Sequence, residues 1–194
     1  SMCKKKIFLQ INNRNKNNIM NILLCIAVIN ELNLDLTKLK KFFKNQKLLK
    51  GRGKLSRVRK FNKNFFLIDE SYNANPLSVK SAIENFSDIQ KKGKKKYFLF
   101  GDMLELGKNS RTYHKKISKL INKSDIDKTF VYGDMALETY KSLKEKKRGE
   151  VVKDLKSFKN KISRVIKNGD FLMIKGSNAT KLHEVSNGFL GGVN

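Results

Sequence analysis

The chain has 194 residues, 39% of them hydrophobic, and carries 43 Lys and Arg against 17 Asp and Glu for a net charge of +26. That length supports one sizeable domain, or one domain plus part of another, around a core that needs no disulfide or metal. The two cysteines, Cys3 and Cys25, lack CxxC spacing and neighbouring histidines, which excludes a zinc or disulfide framework and suits a reducing, cytoplasmic setting.

In chain order, IFLQI (7–11) follows three lysines and is too short for a signal-peptide core; it reads as a strand. The apolar run from Ile19 to Ile29 is about half of the roughly 20 residues a membrane span requires, so the stretch from Ile19 to Leu32 reads as an amphipathic helix and no membrane association is expected. LTKLKKFFKN reads as a second helix capped by Asp35 or Thr37, and GRGKLSRV as a linker.

From residue 53 onward a regular alternation sets in. Short β-rich runs occur at NFFLID (64–69), KYFLFG (96–101), KTFVYG (128–133) and DFLMIK (170–175), with a weaker one at GEVVKD (149–154). Between them LSVKSAIENF, RTYHKKISKLI, MALETYKSL and LKSFKNKISRVI have apolar spacing near 3.6. Nearly continuous apolar strands separated by helices predict a doubly wound α/β domain with a mostly parallel, Rossmann-like sheet of five or six strands. The basic runs (KKFFKNQK, KKGKKK, KEKKR) are spread over nearly every segment without interleaved aromatics, so they read as solvated faces rather than a nucleic-acid groove.

Three strands lead into polar loops: Asp69 opens SYNANP, Gly101 opens DMLELG and Lys175 opens GSNAT. In open α/β sheets ligands sit at the carboxyl ends of strands, and ordinary helix capping explains the same residue types. If IDESYNANP (68–76) is only a turn, Asn73 and Asn75 are worth a cap, about 1 kcal/mol. If it is a site, Asn73 or Asn75 and Lys175 face one shared cleft. His114, alone on a lysine-rich helix, reads as structural. Asp102 and Glu105 read either as a carboxylate pair or as a turn with Asp102 as its cap, and Pro76 as the start of a helix.

IDESYNANPLSVKSAIENF, FLFGDMLELGKNSRTYHKKI and GDFLMIKGSNATKLHEV, in this order, resemble three motifs of the Mur ligase family. NNIMNILLCIAVINEL resembles the helix that closes that family's central ATP-binding domain, and GRG its hinge. The resemblance implies that 1–52 is the end of the central domain with the hinge, and 53–194 the carboxyl-terminal, amino-substrate domain. The nearest branch joins D-alanyl-D-alanine to UDP-N-acetylmuramoyl-tripeptide through an acyl phosphate, using ATP and Mg2+, in peptidoglycan precursor synthesis.

By position, the resemblance assigns Asn18 to adenine, Arg52 to the nucleotide phosphates and Glu70 to ribose. It sets Tyr72, Asn73, Asn75, Lys175 and Ser177 on the amino-substrate side, Lys175 as a holder of the dipeptide carboxylate or an acyl phosphate oxygen. Three positions depart from the family: Asn17 stands for its histidine, Glu70 for the second acid of its DDSY motif, and Asn178 for its arginine. No G-x-x-x-x-G-K-[ST] loop occurs in the sequence, so the catalytic set is incomplete, no metal site is expected here, and the chain depends on upstream ligase domains for turnover. An anion-binding α/β module without catalysis and a basic nucleic-acid binder are the competing readings.

Overall fold

The computed structural model describes residues 8–11, 16–45, 49–90 and 92–191. The chain divides into two compact units, Ser1–Leu48 and Leu49–Asn194.

The first unit contains α1 (Lys16–Glu31), a 3-10 turn at Leu36–Leu39 and α2 (Lys40–Asn45). Asp35 caps the 3-10 turn, accepting from the Thr37 N–H at 2.9 Å. A strand expected at IFLQI is not seen: residues 8–11 have no regular structure, and Ile7 lies outside the described residues. Ile22 and Phe43 are buried, whereas Met20, Leu23, Leu24, Val28, Leu32, Leu34 and Phe42 are exposed. A helix apolar on most sides ordinarily has neighbours on most sides.

The second unit is a six-stranded sheet of β1 (Lys54–Lys60), β2 (Lys63–Glu70), β3 (Lys96–Gly101), β4 (Lys128–Tyr132), β5 (Arg148–Val151) and β6 (Phe171–Lys175), in the order β1-β2-β6-β3-β4-β5. All neighbours are parallel except β1, which pairs antiparallel with β2 from Lys54↔Asp69 to Lys60↔Lys63. β1 corrects the linker reading of GRGKLSRV. It buries only Val58, so it has no apolar run, and its Lys and Arg protect an edge that would otherwise template further pairing.

The helices are α3 (Pro76–Asp88), α4 (Ser110–Lys123), α5 (Ala136–Lys141), α6 (Leu155–Val165) and α7 (Leu182–Leu190). The strand alternation sorts them onto two faces. Ile68, Phe98, Phe100, Val131 and Met173 pack with Val79, Ile83 and Phe86 of α3, Ile117 and Ile121 of α4, and Ala136 of α5. Phe65, Leu67, Leu99, Leu172 and Ile174 pack with Phe158 and Ile162 of α6 and Leu182, Val185 and Phe189 of α7.

The topology therefore reverses at β6. The chain runs from β2 through α3 to β3, leaving a gap that β6 fills after returning from the far edge through α6. The carboxyl ends of β2, β6 and β3 are adjacent, and their loops depart to different faces, the arrangement that opens a crevice at a switch point.

Candidate functional site

The three loops at this point are joined by one hydroxyl. Ser177 Oγ donates to the Ala74 carbonyl at 3.4 Å and accepts from the Leu104 N–H at 2.9 Å. The Ser177 N–H in turn donates to the Asp102 carbonyl at 3.0 Å. Ser177 is buried, so it acts on the loops rather than presenting its hydroxyl to solvent.

Lys175 ends β6 at 1% exposure. Its Nζ donates to Glu70 Oε2 at 3.3 Å and to the Asn73 carbonyl at 3.1 Å. Burial holds the ammonium below the usual lysine range; the Glu70 carboxylate opposes this and the Arg52 charge adds to it. Lys175, to which the resemblance gives a dipeptide carboxylate or an acyl phosphate oxygen, has internal partners in this structure, the Glu70 carboxylate and the Asn73 carbonyl.

Asn75 accepts from the Ser78 N–H at 2.9 Å while Ser78 Oγ receives the Asn75 N–H at 3.0 Å, a reciprocal cap on α3 with Pro76 at its first turn. Its side-chain oxygen is engaged at the start of the helix. Tyr72 and Asn73 are exposed. The Arg52 guanidinium lies 4.5 Å from the centroid of the Tyr72 ring. Arg52, Glu70, Tyr72, Asn73, Lys175 and Ser177 are therefore brought together by these contacts, whereas Asn18 stands in the first turn of α1 in the other unit.

His114 is fully buried, accepting at Nε2 from the Met103 N–H at 2.9 Å and donating from Nδ1 to the Ser110 carbonyl at 2.8 Å. That pairing selects one neutral tautomer. Burial holds its pKa below the usual imidazole value, against the opposing pulls of the Ser110 carbonyl and the Asp102 carboxylate. Asp102 accepts from the Ala136 N–H at 2.7 Å, so it serves the start of α5 rather than its own turn.

One residue without an assigned role emerges. Asp69, 5% exposed, accepts at Oδ2 from the Gly51 N–H at 3.2 Å and at Oδ1 from the Ser71 Oγ at 2.6 Å. Its signal in the sequence is an acid ending an otherwise apolar strand. Among the described residues no group of three or more His, Cys, Asp or Glu side chains could hold a metal ion, and no helix is long and apolar enough to cross a membrane.

The loops of a switch-point crevice, one arginine beside them and a motif order running through all three strands define a domain of the Mur ligase class. The profile described as Mur ligase, glutamate ligase domain matches residues 55–178, and the chain belongs to this family. Among curated relatives, the UDP-N-acetylmuramoyl-tripeptide--D-alanyl-D-alanine ligase of Bacillus subtilis is 34% identical over 71% of this chain and 30% of its own length. That of Buchnera aphidicola (strain APS) is 36% identical over 63% of this chain and 26% of its own length. The chain thus spans about a third or less of the relatives it matches. Among solved structures, MurF from Acinetobacter baumannii aligns with a TM-score of 0.77 at 21% identity, over 95% of this chain and 39% of that one. MurF ligase from Thermotoga maritima, in complex with ADP, aligns at 0.75 and 22% identity, over 90% and 38%. These two likenesses show the fold.

Proposed function

We propose that this chain is the carboxyl-terminal part of an ATP-dependent ligase that joins D-alanyl-D-alanine to UDP-N-acetylmuramoyl-tripeptide in the cytoplasm, with 1–52 belonging to the end of the central domain and its hinge. The observation that carries this reading is the family match through 55–178 together with the contacts that gather Arg52, Glu70, Tyr72 and Lys175 at the switch point. The exposed apolar residues of α1 support a place for that helix within a larger domain.

In the reaction the peptide carboxylate attacks the γ-phosphorus of ATP, giving an acyl phosphate and ADP. The dipeptide amine then attacks the acyl carbon, phosphate leaves, and the amine proton passes to a base. This chain's side chains serve binding and orientation. Arg52 is exposed and suits a phosphate through its charge and in-plane donors. Glu70 has one oxygen on Lys175, and its other suits a ribose hydroxyl as acceptor. By the family's assignment Asn18 serves adenine, and Tyr72, Asn73 and the Asn75 loop serve the incoming amine. Lys175 and Ser177 work by holding this loop rather than by touching substrate. Among the described residues no group of three or more His, Cys, Asp or Glu side chains gathers, and Mg2+ would be held chiefly by the ATP phosphates with residues of the upstream domains.

The test is ligation by the 194-residue chain supplied with the two preceding domains of a relative, as a fusion or a second polypeptide. ATP-dependent amide formation is expected there, with no turnover by the chain alone. Turnover by the chain alone, or a fusion that binds both substrates and releases no ADP, overturns the reading.

A further inference from the structure

We propose that Asp69 and Tyr72 are positioning residues for Arg52, Asp69 by fixing the backbone on both sides of it and Tyr72 by holding its guanidinium ready for a phosphate. The inference rests on the reading above that Arg52 meets the nucleotide phosphates.

The strap Gly51–Arg52–Gly53 is tied down at three points. The Gly51 N–H donates to the Asp69 carboxylate at 3.2 Å, the Gly53 N–H to the Asp69 main-chain carbonyl at 2.7 Å, and the Tyr72 N–H to the Gly51 carbonyl at 3.3 Å. Asp69 therefore brackets Arg52 with its side chain before it and its backbone after it. Its second oxygen is occupied by Ser71, through the N–H at 3.2 Å and Oγ at 2.6 Å. A buried carboxylate satisfied by three donors is rigid, because releasing any of them exposes charge to a poor solvent.

Both glycines have left-handed backbones, with φ of +72° at Gly51 and +85° at Gly53. A Cβ at Gly51 would stand 2.8 Å from Tyr72 Cβ, and one at Gly53 2.6 Å from Glu70 Oε1. The strap thus fits the residue 70–72 loop only without side chains on either side of Arg52. Between those fixed points a single long side chain projects.

Tyr72 is 52% exposed, so its ring has little packing to do apart from the guanidinium 4.5 Å away. A guanidinium carbon over a ring is held by the ring's negative face, and where the guanidinium lies flat on it the N–H donors, which are in the plane, stay available. An arginine so stacked remains able to take a phosphate bidentately, and it loses less rotamer freedom on doing so.

The experiment compares Asp69→Asn, Tyr72→Leu and Tyr72→Phe. The Asp69→Asn amide keeps one oxygen for Ser71 and turns an NH2 toward the Gly51 N–H, releasing the strap alone. In the 194-residue chain, ring current from Tyr72 shifts the Arg52 Nε–H proton resonance upfield; Tyr72→Phe retains the shift, Tyr72→Leu and Asp69→Asn lose it. In the fusion, Asp69→Asn and Tyr72→Leu raise the KM for ATP about tenfold and Tyr72→Phe restores it, while Asp69→Asn, at a residue with no place beside the amine, keeps the KM for D-alanyl-D-alanine within about twofold. Should Asp69→Asn fail to fold, the Tyr72 pair decides. An unchanged KM for ATP, or a rise in the dipeptide KM instead, overturns the inference while ligation by the unsubstituted fusion leaves the proposed function standing. A fusion without ligation overturns that function and this inference with it.

Discussion

Lys175 Nζ and Glu70 Oε2 stand 3.3 Å apart across adjacent parallel strands, paired in register at the carboxyl edge of the sheet. The lysine side chain is 1% exposed and the glutamate side chain 18%. Low accessibility strengthens the attraction, and it also makes either partner costly to leave alone. Replacing Lys175 with methionine and Glu70 with glutamine, singly and together, is expected to give a coupling energy of about 1–3 kcal/mol in urea unfolding. Strictly additive losses would mean that the pair does not stabilise the loop.

Asn75→Ala is expected to lower stability by about 1 kcal/mol, because its side chain satisfies the Ser78 N–H at the start of α3. Serine at this position should recover most of that loss. If Asn75→Ala leaves the melting temperature unchanged and lowers only ligation in the fusion, the residue belongs to substrate and not to the helix.

His114 makes stability depend on pH. Its folded pKa lies below the unfolded value near 6.5, so between the two the unfolded chain binds the extra proton. Its stabilising contribution is present above pH 6.5 and is lost as pH falls through the folded pKa, with a slope approaching at most about 1.4 kcal/mol per pH unit. Denaturant titrations at pH 7 and pH 5 should show this loss, and His114→Gln should reduce the difference between them. A wild-type stability that rises on acidification would contradict the buried neutral imidazole.

Ser177→Ala removes the acceptor of the Leu104 N–H and the tie to Ala74. A loss of about 1–2 kcal/mol is expected, since a partly buried donor is left without its partner. Faster proteolysis at 102–106 should accompany it; protection equal to wild type would show that the loops hold one another by other contacts.

The sequence by itself determined β2 to β6 and most of the helices packed on them, because their signals are local. KYFLFG and DFLMIK are apolar through Tyr97–Phe100 and Phe171–Ile174, whose alternating side chains face the two cores, and α4 and α6 keep their apolar residues on one side. The order of the three motifs also determined the family. Pro76 and the Asn75 cap were legible for the same reason, since a cap and its helix are neighbours in the chain.

Tertiary structure decided the rest. β1 buries only Val58, so nothing in KLSRVRK distinguishes a basic edge strand from a linker until β2 supplies its hydrogen bonds. α7 becomes recognisable through Leu182, Val185 and Phe189, which join the core shared with α6. Lys175 has the same formula as the other lysines of a very basic chain, and only the approach of Glu70 and the Asn73 carbonyl makes it an internal tie. Asp69 gains its hold on Gly51 across 18 positions of sequence. Propensity and periodicity act over a few residues, whereas the partner that fixes the job of a buried charge is chosen by the sheet order, which joins strands distant in the chain.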